Sequence, residues 1–169
     1  MLTGPQIQKE VEDGRIYISD FTPERLNPNS YNLRLAREFI QYDDAVLDMK
    51  SNNPWRIRTV SDEEGILLHP NKLYLGRTVE YTSTPHHIPR IDGRSSIGRL
   101  GIFVHVTAGF GDIGFCGRWT LELVVAQPIR IYPYTEICQI SYHQPIGEIK
   151  LYNGRYQNSA HVEPSKFWQ

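Results

Sequence analysis

The sequence predicts a mainly-β domain, a distorted jelly roll or β-barrel with one or two short helices. Three observations support this fold class. The 169 residues include 13 Gly, 11 Pro and 10 Tyr, a composition that favours many short strands and turns. Apolar and polar residues alternate in several short runs, which is the period of a half-buried strand. Clusters of turn-forming residues separate these runs at short intervals, as they do in sandwiches and barrels.

Length and composition indicate a single domain over residues 1–169. The hydrophobic fraction is 40% and the charged fraction 22%, values typical of a globular protein. The net charge is −1 and the Lys and Arg residues are scattered, so we expect no nucleic-acid partner. No apolar run reaches membrane-spanning length and the first residues lack a signal-peptide core, so we expect a cytoplasmic protein without a membrane partner.

Local sequence signals predict one helix and eight strands. A helix is predicted over residues 3–12, because Thr3 is a good N-cap, Pro5 suits the first turn and Gly14 follows as a stop. The polar stretch 50–64 predicts a surface excursion, and the tail from 153 onward has no periodicity. Alternation and turn signals predict strands over residues 16–18, 31–35, 65–68, 73–79, 119–125, 129–132, 136–142 and 148–152.

The stretch from residue 93 to residue 123 concentrates the polar candidates. It places two guanidiniums and two hydroxyls among small glycines, on Arg94, Ser95, Ser96 and Arg99. Guanidinium forks and hydroxyls suit the oxygens of a phosphate group. Further on, Glu122 lies within an apolar strand, on the face opposite Leu121. The residues alone therefore predict either a phosphate-bearing ligand with Glu122 as an acid–base group, or a structural ion pair between Glu122 and Arg99.

Motifs for zinc and for a nucleophilic serine are incomplete. His161-Val162-Glu163 has the H-x-E pattern of zinc deaminases, but no P-C-x-x-C follows it. The two cysteines, Cys116 and Cys138, have no ligand spacing and are expected to be reduced thiols. Ser95-Ser96 lacks the G-x-S-x-G elbow, and there is no Walker A lysine motif. We therefore expect no zinc and no protein-bound metal.

An ordered set of motifs resembles the dCTP deaminase branch of the dUTPase-like superfamily, and is most similar to its dUMP-forming bifunctional members. Each motif is weak alone, but together they cover most of the chain in the family's order. The matching segments are NPNSYNL at 27–33, LYLGRTVE at 73–80, GRSSIGRLG at 93–101, HVTAGF at 105–110, the run 112–122 ending in T-L-E, Tyr152, and RYQ at 155–157.

The resemblance implies a dUTPase-like barrel assembled as a homotrimer with interfacial active sites, and Mg²⁺ bound through the nucleotide triphosphate. It implies hydrolytic deamination of dCTP at cytosine C4 without zinc. Gly109-Phe110 stands where the monofunctional type has His-Arg, which implies coupled hydrolysis to dUMP, diphosphate and ammonia. The alternatives are a deaminase that releases dUTP, a plain dUTPase and a non-catalytic nucleotide sensor. Glu122 in the T-L-E motif favours a deaminase over the last two.

The resemblance also implies catalytic roles. Glu122 is the expected proton shuttle, with a pKa raised by burial in a secluded site. Ser95 and Arg99 are expected to orient the attacking water and Glu122, and the Ala108 carbonyl to hold that water. Asp112 is the candidate for positioning a second water at the α-phosphate of dUTP.

The implied nucleotide-binding residues form a longer set. They are Arg94, Ser95, Ser96, Ile97, Gly98, Arg99, Asp112, Thr120, Leu121, Glu122, Gln139, Tyr152, Arg155, Gln157 and Ser159. The tail 153–169 is expected to close over the nucleotide, partly from a neighbouring subunit. Arg155 stands where lysine is common and Ser159 where glutamine is usual. His105 and Val106 match the turn that rearranges in members inhibited by dTTP, so feedback inhibition is a further expectation.

Overall fold

The computed structural model describes residues 1–168. It contains two α-helices, α1 (Gly4–Glu12) and α2 (Ser95–Gly98), and a 3-10 turn at Pro23–Arg25. The strands are β1 (Tyr17–Ile18), β2 (Leu26–Asn27), β3 (Ser30–Arg34), β4 (Glu38–Tyr42), β5 (Trp55–Thr59), β6 (Ile66–Leu68), β7 (Tyr74–Ser83), β8 (Ile88–Gly93), β9 (Ile102–Phe103), β10 (Cys116–Val125), β11 (Ile129–Ile131) and β12 (Glu136–His143).

The strands form three sheets in which every named pair is antiparallel. The largest has the order β5-β4-β7-β10-β9, with β1 also paired to β7. A second sheet has the order β2-β3-β12-β8, and a third pairs β11 with β6. The mainly-β class with two short helices is therefore confirmed, although the described strands form separate sheets and no closed barrel.

Helix α1 forms where its end signals predict it. The Thr3 side chain accepts a hydrogen bond from the Gln6 N–H, and Pro5 lies in the first turn. Ile7 is fully buried, and Gly14 follows the helix in the left-handed region with a φ of 71°. The Leu2 N–H bonds the carbonyl of Tyr142 and the Gly4 N–H that of Pro28, so this end of the chain is fixed to the second sheet.

Strand β10 separates the core from the candidate site. Trp119, Leu121 and Leu123 lie on its buried face and belong to the main hydrophobic cluster. Thr120 and Glu122 lie on the opposite face and are partly exposed. The period-2 prediction for this strand is confirmed, because one face is packed while the other remains open to a pocket.

One prediction of local structure is incomplete and another is wrong. Residues 50–64 lie largely at the surface, as predicted, but they include strand β5, which pairs with β4 from Trp55 to Thr59 although all five of its residues are exposed. The predicted strand over 148–152 is an irregular segment, in which the apolar side chains of Ile149 and Leu151 are exposed. In the part of the chain that the structure describes, no helix is long and apolar enough to cross a membrane.

Candidate active site

A pocket of about 420 Å³ opens over the polar face of β10, between the loop after β9 and the C-terminal tail. The tail forms one wall with Tyr156, Glu163 and Ser165, and β7 contributes Leu75. The predicted site residues that line the pocket are His105, Ala108, Asp112, Thr120, Glu122, Tyr152 and Ser159. A single cavity is thus lined by the polar face of β10, the glycine-rich loop and the tail.

Glu122 presents its carboxylate to this pocket. Its position is fixed by β-pairing with Leu75 and by its backbone N–H, which donates to the carbonyl of Val104 at 3.0 Å. The side chain is 36% exposed, and Nδ1 of His105 lies 3.8 Å from its Oε2. That distance exceeds a hydrogen bond, so the interaction is electrostatic. Among residues 1–168 the contact is with His105 and not with Arg99, so the structural pairing with Arg99 is not observed.

The pKa of Glu122 lies below its ordinary value of 4.5 because the His105 imidazole favours the ionised carboxylate. Partial burial acts in the opposite direction and is the smaller effect. The predicted rise of this pKa is therefore wrong for the ligand-free chain. The carboxylate is ionised near neutral pH and is ready to accept a proton.

His105 is buried beside Glu122, with only 8% of its side chain exposed. Both ring nitrogens lack a hydrogen-bond partner within the described chain. Because buried polar atoms are normally paired, these nitrogens are available to a ligand or a bound water. Val106 is 62% exposed and lies outside the pocket lining. The two predicted regulatory residues therefore face different surroundings.

The glycine-rich loop packs too closely for larger residues. A Cβ on Gly111 would overlap the Trp119 ring, and one on Gly109 would overlap the carbonyl of Ile91. The loop is also hydrogen-bonded to β8, because the Ile91 N–H donates to the Gly109 carbonyl at 2.7 Å. Ala108, Phe110 and Asp112 are consequently held at the pocket with exposed side chains.

The tail is attached to the start of β10 by Gln157 and Ser159. Gln157 accepts from the Cys116 N–H at 2.9 Å and donates to the Gly114 carbonyl at 2.8 Å. The Ser159 carbonyl accepts from the Arg118 N–H at 2.8 Å. Arg155 donates to the carbonyl of Lys166. The side chains of Arg155 and Gln157, predicted to bind nucleotide, thus hold the tail together in this state.

Further along, the tail docks on β4 and β10. Val162 is 3% exposed and packs with Ile40 and Leu75. The Glu163 N–H donates to the hydroxyl of Thr120 at 3.1 Å. Glu163 brings a carboxylate to the pocket, where it forms an ion pair with Lys166 at 2.9 Å. The sequence placed Glu163 only in an incomplete zinc-deaminase pattern, His161-Val162-Glu163, and did not predict that it lines the pocket.

Arg118 is a second pocket residue that the sequence did not reveal. Its Nε donates to the Val79 carbonyl at 3.1 Å, and its guanidinium lies 5.9 Å from the centre of the Tyr81 ring. It is the one lysine or arginine among the described residues that line the pocket. The same lining carries three carboxylates, on Asp112, Glu122 and Glu163.

The remaining predicted residues lie outside this pocket, around α2. Ile97 is buried and anchors the helix, whereas Ser95, Ser96, Gly98 and Arg99 are exposed. Arg94 forms an ion pair with Glu136 at 3.0 Å. Gln139 on β12 donates to the Gly93 carbonyl at 2.9 Å, beside Arg94 in the chain. Leu121 is fully buried in the core and can offer only its backbone. Apart from Leu121 in the core and Arg155 and Gln157 in the tail, most predicted site residues therefore form two groups, the pocket group and the α2 group.

Metal ligands are not concentrated in either group. Among residues 1–168 no three His, Cys, Asp or Glu side chains converge on a point where they could hold an ion.

The fold is of the dUTPase-like type. The crystal structure of a 2'-deoxycytidine 5'-triphosphate deaminase from Agrobacterium tumefaciens superposes with a TM-score of 0.66 and 18% identity, over 85% of this chain and 48% of that one. At this identity the likeness establishes the fold alone.

Sequence relatives and a family model define the family. A protein of Clostridium botulinum (strain Alaska E43 / Type E3) named "dCTP deaminase, dUMP-forming" is 54% identical over 100% of this chain and 97% of its own length. Proteins with the same name from Hathewaya histolytica and Cytophaga hutchinsonii are 54% and 51% identical, over 98% and 100% of this chain and 95% and 97% of their own lengths. The family model described as "dCTP deaminase-like" matches residues 1–145. The chain belongs to the dCTP deaminase-like family.

Proposed function

We propose that this chain is a dUMP-forming dCTP deaminase. The observation that carries the proposal is Glu122, an ionised carboxylate without a hydrogen bond in the described chain, facing a pocket of nucleotide size. It occurs in a chain 54% identical to proteins named for this reaction. The products from dCTP and two waters are ammonia, dUMP and diphosphate.

Glu122 acts as the proton shuttle in the deamination step. It takes a proton from water while the water oxygen forms a bond to cytosine C4, and the proton passes to N3. The C4–N bond then breaks and the amino group leaves as ammonia after a further proton transfer. The Ala108 carbonyl, at the same pocket, holds the attacking water. Glu122 is ionised before substrate binds, and its carboxylate makes no hydrogen bond among the described residues, so both oxygens can accept a proton from the bound water.

Asp112 serves the second step, in which water attacks the α-phosphate of dUTP and the bond to diphosphate breaks. Its carboxylate is exposed at the rim of the pocket, next to the Gly109-Phe110 loop. Mg²⁺ is bound through the triphosphate, and Asp112 offers the oxygen donor that this ion prefers. A ligand set built wholly from protein side chains is not required when the substrate carries the ion.

The phosphates are bound in a homotrimer by the α2 group of a neighbouring copy. Within one chain the pocket lining carries three carboxylates and one arginine, a poor match for a polyanionic triphosphate. The α2 group supplies the missing cations and hydroxyls, on Arg94, Ser95, Ser96 and Arg99, but it lies outside this pocket. An interface that brings α2 to the pocket of a second chain resolves the mismatch, with Ser95 and Arg99 near Glu122.

Mixed trimers test the shared site. Ser95→Ala and Glu122→Gln are each expected to be inactive. When the two variants are refolded together, some sites combine the natural Ser95 of one copy with the natural Glu122 of another. With random assembly about a quarter of the sites are restored, so activity should recover to roughly that fraction. Light scattering should give a mass three times that of the 19.6 kDa chain. Absence of recovery in mixed trimers would show that each site is built within one chain.

A product assay tests the activity. The protein is incubated with dCTP and Mg²⁺, and ammonia, dUTP, dUMP and diphosphate are quantified. Ammonia, dUMP and diphosphate in equal amounts are expected. Accumulating dUTP would indicate a deaminase only, and hydrolysis of added dUTP without ammonia from dCTP would indicate a plain dUTPase. No turnover of either nucleotide would favour a sensor.

Feedback inhibition by dTTP acts on the same pocket through His105 and the adjacent Val106. The supporting observation is that His105 is buried beside Glu122 with both ring nitrogens unpartnered in the described chain, so a shift of this turn changes the environment of the base. Deamination is measured with and without millimolar dTTP. Unchanged rates would remove the regulatory role.

A further inference from the structure

Arg94 is held from one side, which leaves one edge of its guanidinium open. Nη1 donates to the Glu136 carbonyl at 2.8 Å and contacts Oε2 of the same residue at 3.0 Å. Within residues 1–168, Nε and Nη2 make no hydrogen bond. These two atoms form the edge that binds two oxygens of a phosphate at once. Glu136 therefore fixes the arginine without occupying its phosphate-binding edge.

Glu136 is itself held by a buried amide. Nδ2 of Asn32, a residue only 5% exposed, donates to Glu136 Oε2 at 2.9 Å. Oδ1 of Asn32 accepts from Nδ2 of Asn27 at 2.7 Å. A chain of hydrogen bonds thus runs from the end of β2, through β3 and β12, to Arg94. This chain gives Asn27 and Asn32, two of the three asparagines of the NPNSYNL stretch, a physical role, because a buried amide without partners would be costly.

We infer that Glu136 is a positioning residue for the triphosphate, acting through Arg94 and oriented by Asn32. The inference rests on the proposed function, in which Arg94 binds phosphate. A free arginine loses rotamer freedom when it binds, and an arginine already fixed by Glu136 has lost most of it beforehand. A carboxylate near a phosphate also repels it. The carboxylate contacts Nη1 and leaves the Nε–Nη2 edge open, so it does not occupy the position of the phosphate.

Two substitutions separate positioning from charge. Glu136→Ala removes the carboxylate and its 3.0 Å contact with Arg94, while the bond from Nη1 to the backbone carbonyl remains, and it should raise the KM for dCTP about tenfold with kcat within about twofold. Glu136→Gln removes the charge but keeps an oxygen that accepts from Arg94, so it should recover most of the lost affinity. A KM that is unchanged or lower in Glu136→Ala would overturn the inference, since repulsion or a purely structural role would then dominate.

A double-mutant cycle tests whether Glu136 acts through Arg94. In the Arg94→Ala background, Glu136→Ala should leave the KM unchanged, because the group that it positions is absent. An equal rise in both backgrounds would overturn the inference. Thermal unfolding of all four proteins reports any loss of fold.

Binding of inorganic triphosphate, measured by calorimetry, separates this inference from the proposed reaction. Glu136→Ala should raise the dissociation constant of inorganic triphosphate in the wild-type background and leave it unchanged in the Arg94→Ala background. This result is expected whether or not dCTP is turned over. If wild-type protein deaminates dCTP but Glu136→Ala binds triphosphate normally, only the positioning role fails. If dCTP is not turned over while the cycle behaves as described, only the proposed reaction fails.

Discussion

Val162 anchors the tail over the pocket, and shortening it to alanine tests whether this contact keeps the tail closed. Its side chain is 3% exposed in a small apolar cluster with Ile40 and Leu75, separate from the main core. Val162→Ala removes two methyl groups, each worth about 0.8 kcal/mol when buried, so docking weakens by about 1.5 kcal/mol. That free energy corresponds to a roughly tenfold larger fraction of open tail.

Limited trypsin digestion measures the open fraction. When the tail opens and closes faster than trypsin cleaves it, the rate of cleavage within the tail is proportional to the fraction of molecules whose tail is open. Cleavage after Arg155 or Lys166, identified by mass spectrometry, should be about tenfold faster in Val162→Ala. The matched control is Val46→Ala, since Val46 is 83% exposed and loses the same two methyl groups without losing a contact.

The tail also forms one wall of the pocket, so an open tail should weaken substrate binding. The KM for dCTP should therefore rise in Val162→Ala and stay unchanged in Val46→Ala, with kcat little affected in both. If the tail of Val162→Ala is cut at the wild-type rate while the protein remains folded, the apolar cluster does not hold the tail, and the reasoning from burial is refuted.

Three further predictions concern the pocket and the α2 group. Glu122→Gln should abolish ammonia release and leave folding and dCTP binding nearly intact; substantial turnover would remove the shuttle role. Arg94→Ala should raise the KM for dCTP through loss of a charge-assisted fork, and an unchanged KM would contradict phosphate binding by this residue. His105→Asn should raise the pKa of Glu122 toward its ordinary value of 4.5 and move the acidic limb of the kcat/KM profile to higher pH. The pKa of Glu122 is lower in the folded chain than in the unfolded chain, so the His105–Glu122 contact stabilises the fold at pH values above 4.5. This contribution is lost as the pH falls through the lowered pKa. An acidic limb that does not move in His105→Asn would show that the imidazole does not set the charge of Glu122.

The parts of the fold that follow local rules were predictable from the sequence. Helix α1 has its cap, its proline and its stop within a dozen residues, and β10 alternates because one of its faces is packed. Strand β5 alternates Trp55 and Ile57 with Arg56 and Arg58, but this alternation does not reflect burial of one face. All five of its residues are exposed, and it exists because its backbone pairs with β4 in a long hairpin. The run 148–152 has the alternation of a strand, but no pairing partner is present in the described chain.

The chemistry of the site depended on contacts that the sequence does not contain. The sequence indicated that Glu122 is chemically important, but its pKa is set by His105, which is brought close by the bond between the Val104 carbonyl and the Glu122 N–H. Arg118 and Glu163 reach the pocket through the β10 strand and the docked tail. Arg118 lies in the run 112–122 and Glu163 in the incomplete H-x-E pattern, but neither pattern indicates that the side chain lines this pocket.

Glu80 provides the comparison that distinguishes a structural glutamate from a chemical one. Both Glu80 and Glu122 lie within strands, and burial with an ion-pair partner was the open alternative for Glu122. Glu80 is fully buried, and its carboxylate accepts from Arg25 at 3.1 Å, from the Arg34 side chain at 2.6 Å and from the Arg34 N–H at 2.8 Å. Its acceptor capacity is used in holding the fold, as expected for a buried charge. The Glu122 carboxylate makes no hydrogen bond among the described residues and faces a pocket. It therefore retains the capacity to accept a proton from a bound water, which is the property that the proposed reaction requires.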